Sequence, residues 1–261
     1  MRKRGQYRIG AAYVLVITAA ELLMAYAIKA GIAVHVLIIF ALLLHATRAV
    51  DKDRSLSQFL ITLILAPLIR ILSLSMPLTQ FSRISWFMII SVPIFIAAFT
   101  CMALLELRPK DIGLSLPARR YAPVEATVIL LALPFGIAEY LILKPAPLPE
   151  LEQSITSLFA ASLMFLVCTG FLEELIFRGV MQCSAVRWMG TCIGILFVSM
   201  IFGVLHVGNL ALLDCLLAFA IGLIWSVVRE KTGSIYGISI SHGITNIILF
   251  ILGPAYSTLL V

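Results

Sequence analysis

Charge is scarce in this chain. Of its 261 residues only 12% are Asp, Glu, Lys or Arg, whereas 62% are hydrophobic, and the mean hydropathy is +1.10. Ordinary soluble domains carry about twice that share of charge, so the composition excludes them. The expectation is an all-α fold, a polytopic transmembrane helical bundle. Paired cysteines are lacking too. Cys101, Cys168, Cys183, Cys192 and Cys215 all sit in apolar runs with no C-x-x-C and no metal-ligand spacing, which excludes a disulfide framework and a zinc finger. They read as free buried thiols. There is no repeat of 20 to 50 residues and no low-complexity tail. The net charge of +6 falls in short connections between apolar runs, where membrane topology needs it, so it does not argue for nucleic acid.

What the chain has instead is long apolar runs. They lie at about Ile9–Ile28, Ile32–Ala46, Phe59–Leu78, Trp86–Leu105, Pro123–Leu143, Ala160–Ala185, Thr191–Val207, Leu210–Val228 and Ser234–Leu252, nine in all. The first follows a basic start with Arg2, Lys3, Arg4 and Arg8. Ala25-Tyr26-Ala27 resembles a signal-peptide cleavage site, but the length of the run and its Glu21 favour an uncleaved first helix. Pro67, Pro93 and Pro134 should kink their spans without ending them.

With the N-terminus placed in the cytoplasm, the inner connections hold fourteen Lys and Arg and the outer ones three, Lys29, Arg83 and Lys144. By the positive-inside rule this predicts a multi-pass cell-membrane protein with a cytoplasmic N-terminus and an external C-terminus. The basic Leu107–Tyr121 connection is the natural boundary. It separates an N-terminal four-helix region (1–106) from the loop (107–122) and a C-terminal domain (123–261) of five helices. Pro145 to Glu150 reads as a stiff outer linker.

Ionisable groups inside apolar spans are costly in lipid, so they mark function by default. Phe171-Leu172-Glu173-Glu174-Leu175-Ile176-Phe177-Arg178-Gly179 puts three of them into one helix. Glu174 and Arg178 are four apart and face each other, whereas Glu173 lies roughly 100° around the axis. One carboxylate can be neutralised by Arg178, and Glu173 is left over for chemistry. A structural ion pair with a spare acid is the bland alternative.

Two further helices carry matching polar groups, Phe202 and His206 in one, His242 and Asn246 four apart in another. Counted from the inner flanks, Glu173 lies roughly 20 Å deep, His206 roughly 28 Å and His242 roughly 17 Å, with Asn246 about one turn deeper. All four can share one layer. Of the other intramembrane groups, Glu21 and Arg70 read as an ion pair within the N-terminal half. Asp214, close after Asn209, reads as shaping the outer edge of the site, and His35 and His45 as packing residues; Glu139 has no assigned role.

The ordered set E-E-x-x-x-R (Glu173, Glu174, Arg178), F-x-x-x-H (Phe202, His206) and H-x-x-x-N (His242, Asn246) resembles the CAAX-processing and bacteriocin-processing membrane proteases, the CPBP or Abi family. Leu107-Arg108-Pro109-Lys110-Asp111-Ile112-Gly113-Leu114 and Arg229-Glu230-Lys231-Thr232-Gly233-Ser234 add to the likeness, which covers about Ala122 to Gly253. It implies an intramembrane endopeptidase in which Glu173 and His206 activate water. His242 and Asn246 would stabilise the oxyanion, and Glu174, Arg178 and Phe202 would support the motif helices. The implied partner is a membrane-associated protein or peptide; the oligomeric state is left open. No cofactor is expected, because H-E-x-x-H is absent and Asn246 suits an oxyanion donor; zinc held by Glu173, His206 and His242 stands as the alternative. Two rival classes stand beside the protease. One is a non-catalytic immunity or scaffold protein of the same fold, and the other is a proton-coupled transporter, against which the absence of matching halves argues.

Overall fold

The computed structural model describes residues 2–75, 80–148 and 155–256, with side chains from residue 5 onward. Leu78 at the end of the third apolar run, and Pro149 and Glu150 of the linker, lie outside the described residues. Nine helices among the described residues are long and apolar enough to cross a membrane: α1 (Gly5–Tyr26), α2 (Ile28–Ala49), α3 (Arg54–Ser75), α4 (Arg83–Leu104), α5 (Arg119–Leu143), α6 (Ile155–Met189), α7 (Thr191–Asn209), α8 (Leu212–Thr232) and α9 (Tyr236–Ala255). The protein is an all-α polytopic bundle; no strand occurs among the described residues.

None of the three prolines ends its span. The regular helix is interrupted at Ile64 and again at Leu131, in each case three residues before the proline, Pro67 or Pro134. A proline has no N–H to give the carbonyl four residues back, and its ring crowds that turn. Pro93 is absorbed within an unbroken helix.

The longest helix, α6, is also the least regular. It widens into π-helical turns at Phe165–Phe171 and Leu175–Met181, with three α-helical residues, Leu172–Glu174, between them. Such turns each accommodate an extra residue and recur at functional positions. Here they flank the glutamate pair.

Around α6 the bundle closes. It packs on α9 and α7, and α7 packs on α8. Gly170 makes the α6–α9 approach close, since a Cβ there would stand 2.6 Å from the Gly243 nitrogen and the Ser239 carbonyl oxygen. Without a side chain, the two backbones pack directly, as small residues allow in lipid. The N-terminal helices share the main core: Phe59 of α3 stacks on Trp188 at 4.7 Å and meets Phe197 edge-on at 5.1 Å. The basic connection docks firmly on the C-terminal helices. Arg229 Nη2 donates to the Asp111 carbonyl at 2.5 Å, Arg187 lies 3.5 Å from the Asp111 carboxylate, and the Ile235 N–H donates to the Gly113 carbonyl at 3.0 Å. Helix α5 begins at Arg119, two residues before the connection was expected to end.

One expectation is corrected for the cysteines. All five are free and Cys101 and Cys183 are buried, but Cys192 is exposed and Cys168 and Cys215 are half-buried. An apolar neighbourhood in sequence places a thiol in a span; it does not say whether that face meets protein.

Candidate active site

The two adjacent glutamates have opposite environments. Glu174 is fully buried, and its Oε1 accepts from Arg178 Nη1 at 2.8 Å and from His242 Nδ1 at 2.9 Å. Arg178 is buried as completely, with its guanidinium carbon 4.2 Å from the Phe202 ring centre and 5.4 Å from that of Trp225. Ring faces supply the negative potential that water would otherwise give this cation. The side chain of Glu173 is 34% exposed and opens into a cavity. Its nearest charged neighbour is His242 Nε2 at 3.8 Å, beyond hydrogen-bond reach.

A carboxylate only accepts, so the contact with Glu174 fixes the proton on His242 Nδ1. Nε2 is turned toward Glu173 and the cavity. The imidazole is held flat by Trp225, stacked at 4.7 Å, and edge-on by Phe202 at 5.9 Å. On α7, His206 Nδ1 bonds to the carbonyl oxygen of Phe202 at 2.8 Å. A carbonyl accepts as well, so Nδ1 carries the hydrogen and Nε2 keeps its lone pair. Asn246 Nδ2 donates to Thr169 Oγ1 at 2.8 Å, and that hydroxyl donates to the Phe165 carbonyl at 2.6 Å. This chain ties α9 to the first π-helical turn of α6.

Glu173, His206, His242 and Asn246 all line one cavity of about 570 Å³, while Glu174 and Arg178 lie behind its wall. Phe202, Thr169 and Trp225 line it too. Asn209 also reaches it, steered by Asp214, whose Oδ2 accepts from Asn209 Nδ2 at 2.7 Å. Sequence reasoning overlooked five contributors, Thr169 among them. Glu139 and Arg70, which lie outside the three motif segments in sequence, line the same cavity, and so do Trp86 and Phe87 of α4. A polar group within an apolar run was the available signal for Glu139 and Arg70; nothing marked Thr169.

Both histidines line the cavity with Nδ1 bonded to an acceptor, which leaves Nε2 free for a metal or a water proton equally. Yet among the described residues no three His, Cys, Asp or Glu side chains are grouped closely enough to hold an ion. No step below is routed through a metal.

Residues 155–248 match the family model described as type II CAAX prenyl endopeptidase Rce1-like. The match covers a little over a third of the chain. It contains all seven motif residues, Glu173, Glu174, Arg178, Phe202, His206, His242 and Asn246, and it is shorter than the Ala122–Gly253 span of the sequence resemblance. Helices α1 to α5 lie outside it. No curated protein and no solved structure matches the chain.

Proposed function

We propose that the chain is an intramembrane endopeptidase that hydrolyses a peptide bond in a membrane-associated protein or peptide. The observation that carries the reading is the division of labour between the glutamates. Glu174 is consumed by Arg178 and His242, whereas Glu173 faces a cavity shared with the free Nε2 of His206.

In the reaction, a water between Glu173 and His206 gives its proton to this pair as its oxygen adds to the scissile carbonyl carbon. Negative charge moves onto the carbonyl oxygen. His242 Nε2, protonated when the ring is an imidazolium beside the Glu174 and Glu173 carboxylates, and the second Nδ2 hydrogen of Asn246 donate to it. Each such donor is worth about 2.7–4 kcal/mol in the transition state. The C–N bond then breaks, and the proton taken from water passes to the amine nitrogen, so no other reactant is needed. The chemistry is metal-independent in this scheme.

The excess of basic residues on one set of connections supports a cytoplasmic N-terminus and an external C-terminus in the cell membrane. The family description points to CAAX-type processing.

The test compares terminal peptides of the membrane proteome, by mass spectrometry, in cells with the wild-type chain and cells with Glu173→Gln. A cleaved terminus that appears only with wild type, and persists when a chelator is added, is the expected result. Identical termini would replace the protease by a binding or immunity protein. Loss of cleavage with chelator, restored by zinc, would overturn the metal-free scheme.

A further inference from the structure

One wall of the cavity comes from helices outside residues 155–248, and it carries a cation. Arg70 of α3 is the one Lys or Arg among the cavity-lining residues. Its Nε donates to both carboxylate oxygens of Glu21 on α1, at 2.8 and 2.9 Å. Glu21 Oε1 lies 3.1 Å from Nε2 of His35 on α2, and both of those side chains are 0% exposed, against 17% for Arg70. The guanidinium is thus gripped by its inner nitrogen. Of the outer nitrogens, Nη2 only grazes Met24 Sδ at 3.9 Å, and Nη1 has no hydrogen-bond partner among the described residues. Nη2 rests against Gly208, two residues after His206, where a Cβ would stand 2.8 Å away.

An arginine held by Nε keeps its outer N–H fork for a second anion, and a planar fork matches a carboxylate. We propose that Arg70 anchors the free C-terminal carboxylate of a peptide whose scissile bond lies between Glu173 and His206; this rests on the protease reading above. A chain end fits better than an acidic side chain in mid-chain, because the wall behind Arg70 is closed by buried Glu21 and His35. A peptide that reaches Arg70 stops there. The cavity volume of about 570 Å³ lies within the usual range for small-ligand sites, about 300–1,000 Å³, and so holds a short segment. The released fragment is then a short C-terminal peptide, and α1 to α3 contribute specificity to a reaction performed by α6, α7 and α9.

The experiment measures binding without turnover. Full-length Glu173→Gln chain in phosphatidylcholine nanodiscs is titrated with trileucine bearing a free carboxylate and with its C-terminal amide. The acid should bind about tenfold or more tightly than the amide, the value of a charge-assisted hydrogen bond. Arg70→Gln should abolish that preference. Since Arg70→Gln alone leaves Glu21 buried and unpaired, the double variant Glu21→Gln with Arg70→Gln keeps a neutral pair and the fold. Gly208→Ala keeps the Glu21 grip but displaces Nη2, so it should lower the preference as well. Equal binding of acid and amide, binding of neither, or a preference that survives in the double variant would overturn the proposal. So would a preference that vanishes when phosphatidylglycerol is added to the nanodiscs, which would assign Arg70 to a lipid phosphate. If the preference holds while the wild-type chain cleaves nothing in cells, the protease reading fails and the carboxylate site stands.

Discussion

Replacing Glu174 by alanine and, separately, Glu173 by alanine puts two neighbouring carboxylates to different tests. Glu174→Ala removes the partner of an arginine that is 0% exposed, and also the acceptor of the His242 Nδ1 proton. Breaking one side of a buried ion pair costs about 3–5 kcal/mol, because the remaining charge stays out of water. The ring faces of Phe202 and Trp225 soften that loss, so the lower half of the range is expected. For a chain of this size about 3 kcal/mol corresponds to a fall in Tm on the order of 10 °C. Glu173→Ala removes a side chain that is 34% exposed and, among the described residues, has no neighbour within hydrogen-bond distance. Its effect on stability should be no more than about 0.5 kcal/mol, while proteolysis is lost. Thermal unfolding of both variants in one detergent, beside a cleavage assay, reads both quantities. Equal melting temperatures for the two variants, or a stable and active Glu174→Ala chain, would refute the assignment of structure to one carboxylate and chemistry to the other.

Two further predictions concern the framework of the site. Gly170→Ala should lower stability by about 1–3 kcal/mol, the usual cost of overpacking, because its methyl group would meet the backbone of α9 at 2.6 Å; a melting temperature equal to that of wild type would contradict the close α6–α9 approach. Thr169→Val removes the acceptor that aims Asn246. It should lower kcat about two- to tenfold with little change in KM, as expected for one lost neutral hydrogen bond, and steady-state kinetics on any identified peptide would check it.

Hydropathy alone made the number of spans legible, since each crossing must be apolar over its whole length. Their ends were less so. The run read as Ala160–Ala185 belongs to a helix that extends from Ile155 to Met189, because Thr156 and Ser157 before it and Arg187 after it are polar and broke the apolar signal. The pairing of Glu174 with Arg178 followed from helical spacing, and that of Glu21 with Arg70 from the cost of lone charges in lipid. What spacing could not reveal is which distant helices share a cavity. Arg70 and Glu139 looked unconnected to the motifs because their meeting with α6 and α7 depends on tertiary packing. The π-helical turns of α6 have no sequence signature, and Trp225 resembles any other aromatic residue in an apolar helix until its ring is found stacked on His242.

The length of α6 has a consequence for the surroundings of the protein. Its 35 residues extend roughly 50 Å at the ordinary rise, against a hydrocarbon layer about 30 Å thick. In a bilayer such an excess is accommodated by leaning the helix and by letting polar final turns emerge at the headgroups. Glu173 stands near the midpoint of this rod, so any change in lean moves the carboxylate relative to both leaflets. On the protease reading, acyl-chain length thereby becomes a variable of the reaction. A thicker bilayer draws α6 upright and a thinner one tips it over, and the bond presented to Glu173 in a substrate anchored in the same lipid shifts with it.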